Sequence, residues 1–395
     1  MATNYAPDWV DRWREDTRLA VLTGDPPVQH IVRVTYTHPS FTGERPLLFE
    51  DGTVTLDADA VGFCEVNLTT QVPATTAELA TLDPRTGTRV RVYAGYKLPG
   101  KAEDVHLVAD VRLRERVVRR PENLATLYGV SDDATLAQSV KLPRSVLGGS
   151  GTWQVSTAGL GEALRSIIVN TVPGAQSRID DATPAGLHPD KLAELLPAET
   201  GEPLWSLLSS IADLAPATVW CDALNVWRIE PTARPGGGNA VWTMLPGQNV
   251  LSSESVRSVE QGYANVAVLR RDLQGQDTPP AFDIATAIGQ QHYQLVGQSA
   301  VAVSRTVRNL ATEWVEPAQS MLVRSRARGA LRTVEAPTAW WVAPFLAVNI
   351  GLPGDGYSDA QGPPSHDVER VTFDLGNAVM HVRAALDPYN TQTTE

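Results

Sequence analysis

A regular alternation of side chains along residues 28–120 limits what this 395-residue chain can fold into. The first run places five residues on one face of an extended strand: Val28, His30, Val32, Val34 and Tyr36. Similar runs follow at short spacing, joined by turn residues, at 61–72, 88–96 and 104–118. Short strands in such close succession predict a small antiparallel β-barrel or sandwich.

A turn signal lies within this strand-rich region. Asp51 and Gly52 separate two short apolar runs, 47–49 and 54–56. An Asp-Gly pair between such segments favours a tight hairpin turn, because both residues tolerate a left-handed backbone. We therefore expect the chain to reverse direction at this pair.

The spacing of apolar residues becomes helical beyond residue 151. Two stretches each carry an apolar stripe: Leu160, Leu164, Ile167 and Ile168 in the first, and Leu204, Leu207, Leu208 and Ile211 in the second. Pro203 suits the first turn of the second helix. Two short strands follow, 217–222 and 226–230, and Asn225 in the turn between them tolerates a left-handed backbone. Residues 151–238 are therefore expected to form a small α/β unit.

Strands return after residue 239, with one long helix at about 317–333. The strands expected there span 240–244, 256–260, 263–270, 292–296, 300–306, 338–350 and 368–385. The predicted fold is mainly β with an α/β insert, that is, two small antiparallel β-barrel domains plus a helix-containing α/β domain. The predicted organisation is an N-terminal arm with a short helix (1–27), a first β-barrel domain (28–150), the α/β domain (151–238), a second β-barrel domain (239–386) and a flexible tail (387–395).

Composition and motifs argue against several functions. The chain has 33 basic and 45 acidic residues, a net charge of −12, whereas sequence-independent nucleic-acid binding needs a basic surface. Two cysteines, Cys64 and Cys221, are too few for a disulfide framework or a multi-cysteine metal site. The histidines lack paired ligand spacing, and no nucleophile elbow or phosphate loop occurs. We therefore expect no catalytic residue, cofactor, metal or membrane span.

Three pairs of neighbouring acids are the remaining catalytic candidates: Asp57 and Asp59, Asp132 and Asp133, and Asp180 and Asp181. A glycosidase needs two carboxyl groups held several ångströms apart across a cleft. Among 45 acidic residues such pairs arise by chance, so no catalytic role is assigned to them.

Two sets of arginines are candidates for contacts between subunits. Arg112, Arg114 and Arg116 alternate along a strand and give it a basic face. Arg324, Arg328 and Arg332 are spaced four apart and form one stripe on the predicted helix. Each set is either a solvated face or a contact for an acidic surface. The α/β domain of a neighbouring copy is such a surface, because residues 174–230 carry nine acids and three bases.

Two tryptophans of the N-terminal arm are further interface candidates. Residues 7–20 read as a short helix, on which Trp9, Val10 and Trp13 share one face. The two indoles either pack on the chain's own barrel or dock on a neighbouring subunit.

A recognisable order of elements runs from residue 201 to residue 332. The helix at 202–214 precedes a short hairpin, 219–222 and 226–229, and a strand with a Tyr/Asn pair begins at Tyr263. An Ala- and Arg-rich helix follows at 318–332. This order resembles the hub proteins of long phage tails, the late-control-D-like family related to the spike proteins of type VI secretion. The chain departs from that family at its hairpin turn, which reads Ala-Leu-Asn rather than containing Gly, and after the Arg-rich helix.

The resemblance implies a structural, non-enzymatic protein of a bacteriophage virion, located at the tail tip and assembled in the host cytoplasm. Members of the family form a homotrimeric ring, in which two barrel domains per chain give a pseudo-sixfold collar. The ring joins the tail tube or distal tail protein above to tip or fibre proteins below. Its lumen conducts the tape measure protein and DNA without binding them specifically, and an acidic or neutral lumen suits that role.

Two other functions stay open at this point. A tail-associated glycan or peptidoglycan hydrolase would need two carboxylates converging in a cleft. A carbohydrate- or receptor-binding tail module would need exposed tryptophans in a groove, and the chain has ten tryptophans. Five of them lie within regular apolar patterns that favour burial: Trp205, Trp220, Trp227, Trp242 and Trp340.

Overall fold

A computed structural model of the chain describes residues 9–139, 160–172, 174–181, 203–214, 217–231, 240–257, 263–273, 281–287, 302–309, 318–352 and 362–386. Its α-helices there span Glu15–Thr23 (α1), Thr76–Thr81 (α2), Asp133–Gln138 (α3), Leu160–Thr171 (α4), Leu204–Leu214 (α5) and Ala318–Arg328 (α6). Among the described helices, none has both the length and the apolar character needed to span a membrane.

Strands supply most of the regular structure. The N-terminal strands are Gln29–Thr37 (β1), Arg45–Pro46 (β2), Phe49–Asp57 (β3), Cys64–Gln71 (β4), Arg89–Lys97 (β5), Asp104–Arg119 (β6) and Leu124–Val130 (β7). The middle strands are Ile179–Asp181 (β8), Ala217–Cys221 (β9) and Trp227–Pro231 (β10). The C-terminal strands are Thr243–Met244 (β11), Ser252–Arg257 (β12), Val266–Leu273 (β13), Ala281–Thr286 (β14), Ala302–Asn309 (β15), Ala330–Pro337 (β16), Ala347–Ile350 (β17), Ser365–Asp374 (β18) and Val379–Leu386 (β19).

Thirteen strands form one large sheet that joins the two ends of the chain. Its order is β12-β16-β19-β18-β3-β4-β7-β6-β5-β1-β2, and β17 extends it by pairing with both β18 and β11. Antiparallel pairing of β3 with β18, which sets Val54 opposite Phe373, connects the N-terminal strands to the C-terminal ones. The prediction of a mainly β fold is confirmed, but most of the strands join in one large sheet rather than in two small ones.

The N-terminal strands curl nearly into a barrel. Strand β2 ends at Pro46 and β3 begins at Phe49, so three Cα steps of about 3.8 Å bring the two ends of the run within about 11 Å. Hydrogen bonds do not close the ring in the described residues, because the second edge of β3 is occupied by β18. The described residues thus contain no closed barrel, and the strands of the two predicted barrels belong to one sheet.

The core of this sheet is built by the period-two alternation of its strands. Along β5 the inward side chains Val90, Val92, Ala94 and Tyr96 are all buried. Tryptophans fill much of the remaining volume: Trp9, Trp13, Trp242, Trp340 and Trp341. Burying aromatic side chains of this size contributes strongly to stability.

The predicted α/β unit is present in the described residues between 160 and 231. Helices α4 and α5 pack their apolar stripes together over the sheet β8-β10-β9. Strand β8 is parallel to β10, and β9 is antiparallel to it. Asn225 has a φ of 63°, the left-handed backbone expected in the β9–β10 turn. The expected helices and hairpin are therefore confirmed, with ends shifted by one residue or so.

A third sheet, of order β14-β13-β15, precedes α6 in the chain. One face carries Ala267, Leu269 and Ala285, which pack against Ala318, Met321 and Leu322 of the helix. Helix α6 is followed almost immediately by β16, with Gly329 as the single intervening residue.

Several local expectations are wrong. Asp51 and Gly52 lie inside β3, which pairs continuously with β4 through a register shift between Phe49 and Asp51, so no hairpin turn occurs there. Only residues 347–350 of the expected strand 338–350 are extended. The predicted arm helix is broken at residues 12–14, and α1 starts at Glu15. The expected strand at 292–296 and the domain boundaries near 150 and 238 lie outside the described residues.

Candidate functional site

The two arm tryptophans are anchored in the chain's own core. The indole Nε1 of Trp9 donates a hydrogen bond to the carbonyl oxygen of Trp340 at 3.1 Å. The ring of Trp13 meets His106 edge-on, with centroids 4.8 Å apart, and Tyr96 at 5.9 Å. Both indoles are 1% exposed. Of the two interpretations, the structure shows packing on the chain's own core.

The three arginines of β6 are bound to groups of their own chain. Arg112 Nε donates to Asp132 Oδ1 at 3.1 Å. Arg114 donates to Thr135 Oγ1 at 2.6 Å and to Gln138 Oε1 at 2.9 Å, both on α3. Arg116 donates to the Leu79 carbonyl. The strand thus holds α2 and α3 in place, and a contact of this face with a second subunit stays a prediction.

The predicted stripe of Arg324, Arg328 and Arg332 on one helix does not exist. Helix α6 ends at Arg328, and Arg332 lies on β16, opposite Ser255 of β12. The helix ends there because β16 begins directly after Gly329. Strand β16 pairs with β12 on one side and with β19 on the other. The side chain of Arg324 lies outside the described part of the chain.

Arg328 instead belongs to a charged cluster that ties α6 to the large sheet. Its Nη2 lies 2.6 Å from Asp59 Oδ1, beyond the end of β3. Arg383 of β19 belongs to the same cluster, because its Nε lies 3.3 Å from Glu369 Oε2. Burial and the neighbouring Asp59 charge raise the pKa of Glu369, while Arg383 and Arg328 oppose that rise. We call these four residues the α6 clasp.

A second cluster joins the α/β unit to the N-terminal strands, and we call it the Asp132 joint. The carboxylate of Asp132 is fully buried and lies 2.9 Å from Arg89 Nη1, 3.1 Å from Arg112 Nε and 3.6 Å from Arg178 Nη2. Arg89 and Arg112 belong to β5 and β6, whereas Arg178 belongs to the α/β unit. Burial opposes ionisation, but the charges of Arg89 and Arg112 outweigh it and lower the pKa of Asp132.

Further contacts cross the same boundary. The backbone N–H of Asp110 on β6 donates to the Ala223 carbonyl in the β9–β10 turn at 2.7 Å. Within the α/β unit, Arg228 lies 2.6 Å from Asp180 and 2.9 Å from the buried Asp222. Burial raises the pKa of Asp222, and Arg228 together with backbone N–H groups limits the rise.

The described carboxylates of the three acidic pairs bind backbone N–H groups, a hydroxyl or arginines of the same chain. Asp133 accepts hydrogen bonds from the backbone N–H of Phe63 at 3.0 Å and from the hydroxyl of Ser131 at 2.6 Å, while burial raises its pKa. Asp57 lies 3.8 Å from Arg370, beside the α6 clasp. The carboxylates of the pairs thus hold strands and helices together, except Asp181, whose side chain is not described. In the described ranges, no group of three or more His, Cys, Asp or Glu is arranged to hold a metal ion.

Sequence reasoning did not foresee the partners of Asp132. A signal was present in β5, where Arg89 and Arg91 alternate on one face, and Arg91 pairs in register with Asp110 of β6. Its interpretation depends on two facts that local sequence does not give, namely that β5 and β6 are neighbours and that Arg178 approaches from the α/β unit.

No family model matches the sequence, and no curated protein has significant sequence similarity to it. Solved structures, in contrast, match almost the whole chain. A tail protein from Neisseria meningitidis is 12% identical, with a TM-score of 0.58 over 90% of this chain and 97% of the other. A 43 kDa prophage tail protein from Shewanella oneidensis is 13% identical, with a TM-score of 0.57 over 91% and 99%. A prophage tail protein from Listeria monocytogenes is 9% identical, with a TM-score of 0.51 over 89% and 94%.

These matches define the class of fold. The chain has the fold of phage tail proteins, and the likeness extends over nearly the full length of each neighbour. The resemblance to the tail hub family, inferred from residues 201–332, is confirmed at the level of the fold.

Proposed function

We propose that this chain is a structural hub protein of a long-tailed bacteriophage. It forms a homotrimeric ring at the tail tip, a baseplate-like position between the tail tube and the tip. The observation that carries this proposal is the fold itself, in which β3 and β18 join the N-terminal and C-terminal strands into one sheet and which is shared with solved tail proteins over almost the whole chain.

The organisation of the sheet supports a ring. The family resemblance implies two barrel-derived units per chain, so three chains supply six, which matches a hexameric tail tube. Strand β12 pairs with β16 alone among the described strands, and its side chains are mostly exposed and polar. An open polar edge of this kind suits contact with a neighbouring subunit. The proposed domain boundaries lie near residues 150 and 238.

The charge of the chain supports a conduit. A net charge of −12 disfavours the sequence-independent retention of phosphates, which depends on an excess of basic groups. A lumen of neutral or acidic character repels DNA weakly, so that DNA and the tape measure protein pass without sticking. The proposed neighbours are a distal tail or tube protein above and tip or fibre proteins below.

A hydrolase is the less favoured alternative. The carboxylates that could serve as an acid and a base are bound instead by arginines and backbone N–H groups, as in the Asp132 joint and the α6 clasp. A receptor-binding module is also less favoured, because seven of the eight tryptophans in the described residues are buried and the eighth, Trp205, is half-buried.

The proposal is tested by the mass and shape of the purified protein. Sedimentation equilibrium should give three times the chain mass of 42.6 kDa, and electron microscopy should show a ring with an open axis. A stable monomer across the micromolar range, or a closed axis, would contradict the ring. A clear zone in a zymogram of host cell walls would favour the hydrolase.

A further inference from the structure

A buried segment between β16 and β17 contacts both the N-terminal arm and the α/β unit. It runs over residues 338–346, and all of its residues except Phe345 are buried. Near its start, the carbonyl oxygen of Trp340 accepts the hydrogen bond from Trp9 of the arm. At its end, the ring of Phe345 meets the ring of Trp220 on β9, with centroids 4.8 Å apart. We call residues 338–346 the linking segment.

Phe345 has a backbone conformation that large side chains rarely adopt. Its φ is 68°, in the left-handed region, where the Cβ of an L-residue crowds the following carbonyl oxygen. Hydrogen bonds with β18 hold this geometry. The N–H of Phe345 donates to the Val368 carbonyl at 3.1 Å, and the Leu346 carbonyl accepts from the Val368 N–H at 2.9 Å. A strained backbone persists only where its surroundings impose it, and such residues are concentrated in segments that switch.

Two aromatic rings fix the side chain of Phe345. The ring of Phe63, directly before β4, stacks on it with centroids 6.0 Å apart and planes 4° from parallel. The second ring is that of Trp220, from the α/β unit. Trp220 packs into the core of the large sheet, whereas its neighbours Val219 and Cys221 pack into the separate core of the α/β unit. Trp220 therefore carries a contact from the α/β unit to Phe345.

The linking segment is compact enough to move as one piece. Two turns close it, because the Val342 N–H donates to the Ala339 carbonyl at 3.0 Å and the Leu346 N–H donates to the Ala343 carbonyl at 3.3 Å. These turns lie between the contact with the arm and the strained residue. A rotation of the backbone at one end of the segment therefore displaces the other end.

We propose that Phe345 is a two-state switch that couples the docking of the α/β unit to the docking of the N-terminal arm. With Trp220 in place, Phe345 stays in the left-handed state and the Trp340 carbonyl faces Trp9. When Trp220 withdraws, Phe345 relaxes to a negative φ and the linking segment moves, which weakens the Trp9 hydrogen bond and loosens the arm. Such coupling is reciprocal, so a loosened arm also loosens the α/β unit. The coupling acts within one chain and does not depend on the ring.

Thiol labelling under native conditions measures the docking of the arm. Ala20 of α1 is 2% exposed, so a thiol at Ala20→Cys reacts with iodoacetamide only when the arm detaches. Adding Trp220→Leu should raise that labelling rate about tenfold. Should this variant fail to fold, Trp220→Phe makes a smaller change of the same sign. Peptide mass spectrometry separates the new thiol from the buried Cys64 and Cys221.

The matched control is Leu207→Ala on α5. It removes a buried side chain from the core of the α/β unit and keeps Trp220. The labelling rate of Ala20→Cys should then change by less than about twofold. An unchanged rate with Trp220→Leu, or an equal increase with Leu207→Ala, overturns the proposal.

Substitutions of Phe345 separate the switch from a general loss of packing. Glycine adopts the left-handed backbone freely and offers no ring to Trp220, so Trp220→Leu should no longer change the labelling of the arm in a Phe345→Gly background. Phe345→Gly should also have an unfolding equilibrium constant about threefold below that of Phe345→Ala, although glycine is less stable than alanine within regular helices and strands. A Phe345→Ala variant at least as stable as Phe345→Gly overturns the strain.

The reciprocal measurement starts from the arm. Trp9→Phe keeps an aromatic ring and removes the donor to the Trp340 carbonyl. Because coupling between two sites acts equally in both directions, labelling of Cys221 in the α/β unit should become about fivefold faster. A rate of Cys221 labelling equal to that of the unmodified protein contradicts the coupling.

Discussion

Replacing Asp132 by Asn tests whether the Asp132 joint holds the α/β unit to the large sheet. The substitution keeps the side-chain shape but removes a fully buried charge. The Arg89, Arg112 and Arg178 side chains, 14%, 23% and 25% exposed, then lose their shared counter-charge. Removing one partner of a buried ion pair costs about 3–5 kcal/mol. Arg89 keeps Asp110 as a second partner at 2.6 Å, so we expect the lower end, about 3 kcal/mol.

The matched control is Asp59→Asn in the α6 clasp. There the carboxylate and its partner Arg328 are 44% and 45% exposed, and exposed pairs contribute at most about 1 kcal/mol. Equilibrium urea unfolding at neutral pH, followed by tryptophan fluorescence and circular dichroism, measures both variants. Equal losses in the two variants, or a loss below about 1 kcal/mol for Asp132→Asn, would refute the reasoning.

The same joint predicts a pH dependence with a definite sign. The pKa of Asp132 is lower in the folded chain than in the unfolded chain. Its contribution is therefore complete above the unfolded pKa of about 3.9 and is lost as the pH falls through the folded pKa. The difference in stability between wild type and Asp132→Asn should shrink across that acid range.

Three further outcomes are expected. Gly95→Ala should prevent folding, measured as loss of soluble protein, because the new Cβ would lie 1.9 Å from a backbone oxygen. In the control Gly100→Ala the new Cβ meets nothing within 4 Å, and the free energy of unfolding should fall by only about 1 kcal/mol. Trp9→Ala should lower the free energy of unfolding by about 3–5 kcal/mol in urea titrations, since it empties a buried site and removes a hydrogen bond, and a loss below about 1 kcal/mol would contradict the core role of the arm. Burial and a hydrogen bond to a carboxylate raise the pKa of Tyr128 to about 12 from 10.0, so stability should fall as the pH rises from 10 to 12, and should fall less in Tyr128→Phe.

Local patterns predicted most of the elements. The alternation along β5 and β6 and the stripes of α4 and α5 survive in the structure because each matches the face that the fold buries. The left-handed backbone of Asn225 is also predictable from the sequence, because a short turn depends on neighbouring residues alone.

Long-range pairing explains the failures. Asp51 and Gly52 carry a hairpin signal, yet both pair with β4, and the Gly52 carbonyl accepts a hydrogen bond from the Leu375 N–H just beyond β18. Arg332 follows a helix-favouring stretch, yet β12 and β19 draw it into a strand. Asp132 binds Arg89 and Arg112, which lie 43 and 20 residues away. Local sequence does not encode which distant segments become neighbours.

The pairing of β3 with β18 can form only after most of the chain has been synthesised. Thr55 and Thr372, whose hydroxyls meet at 3.1 Å across these strands, are 317 residues apart. At roughly 5–20 residues per second, β3 waits on the order of 15–60 s after leaving the ribosome for its partner. During that interval one side of a long, partly apolar strand is open to other nascent chains. We therefore expect the yield of folded protein to depend on keeping neighbouring nascent chains apart until the late strands have been made.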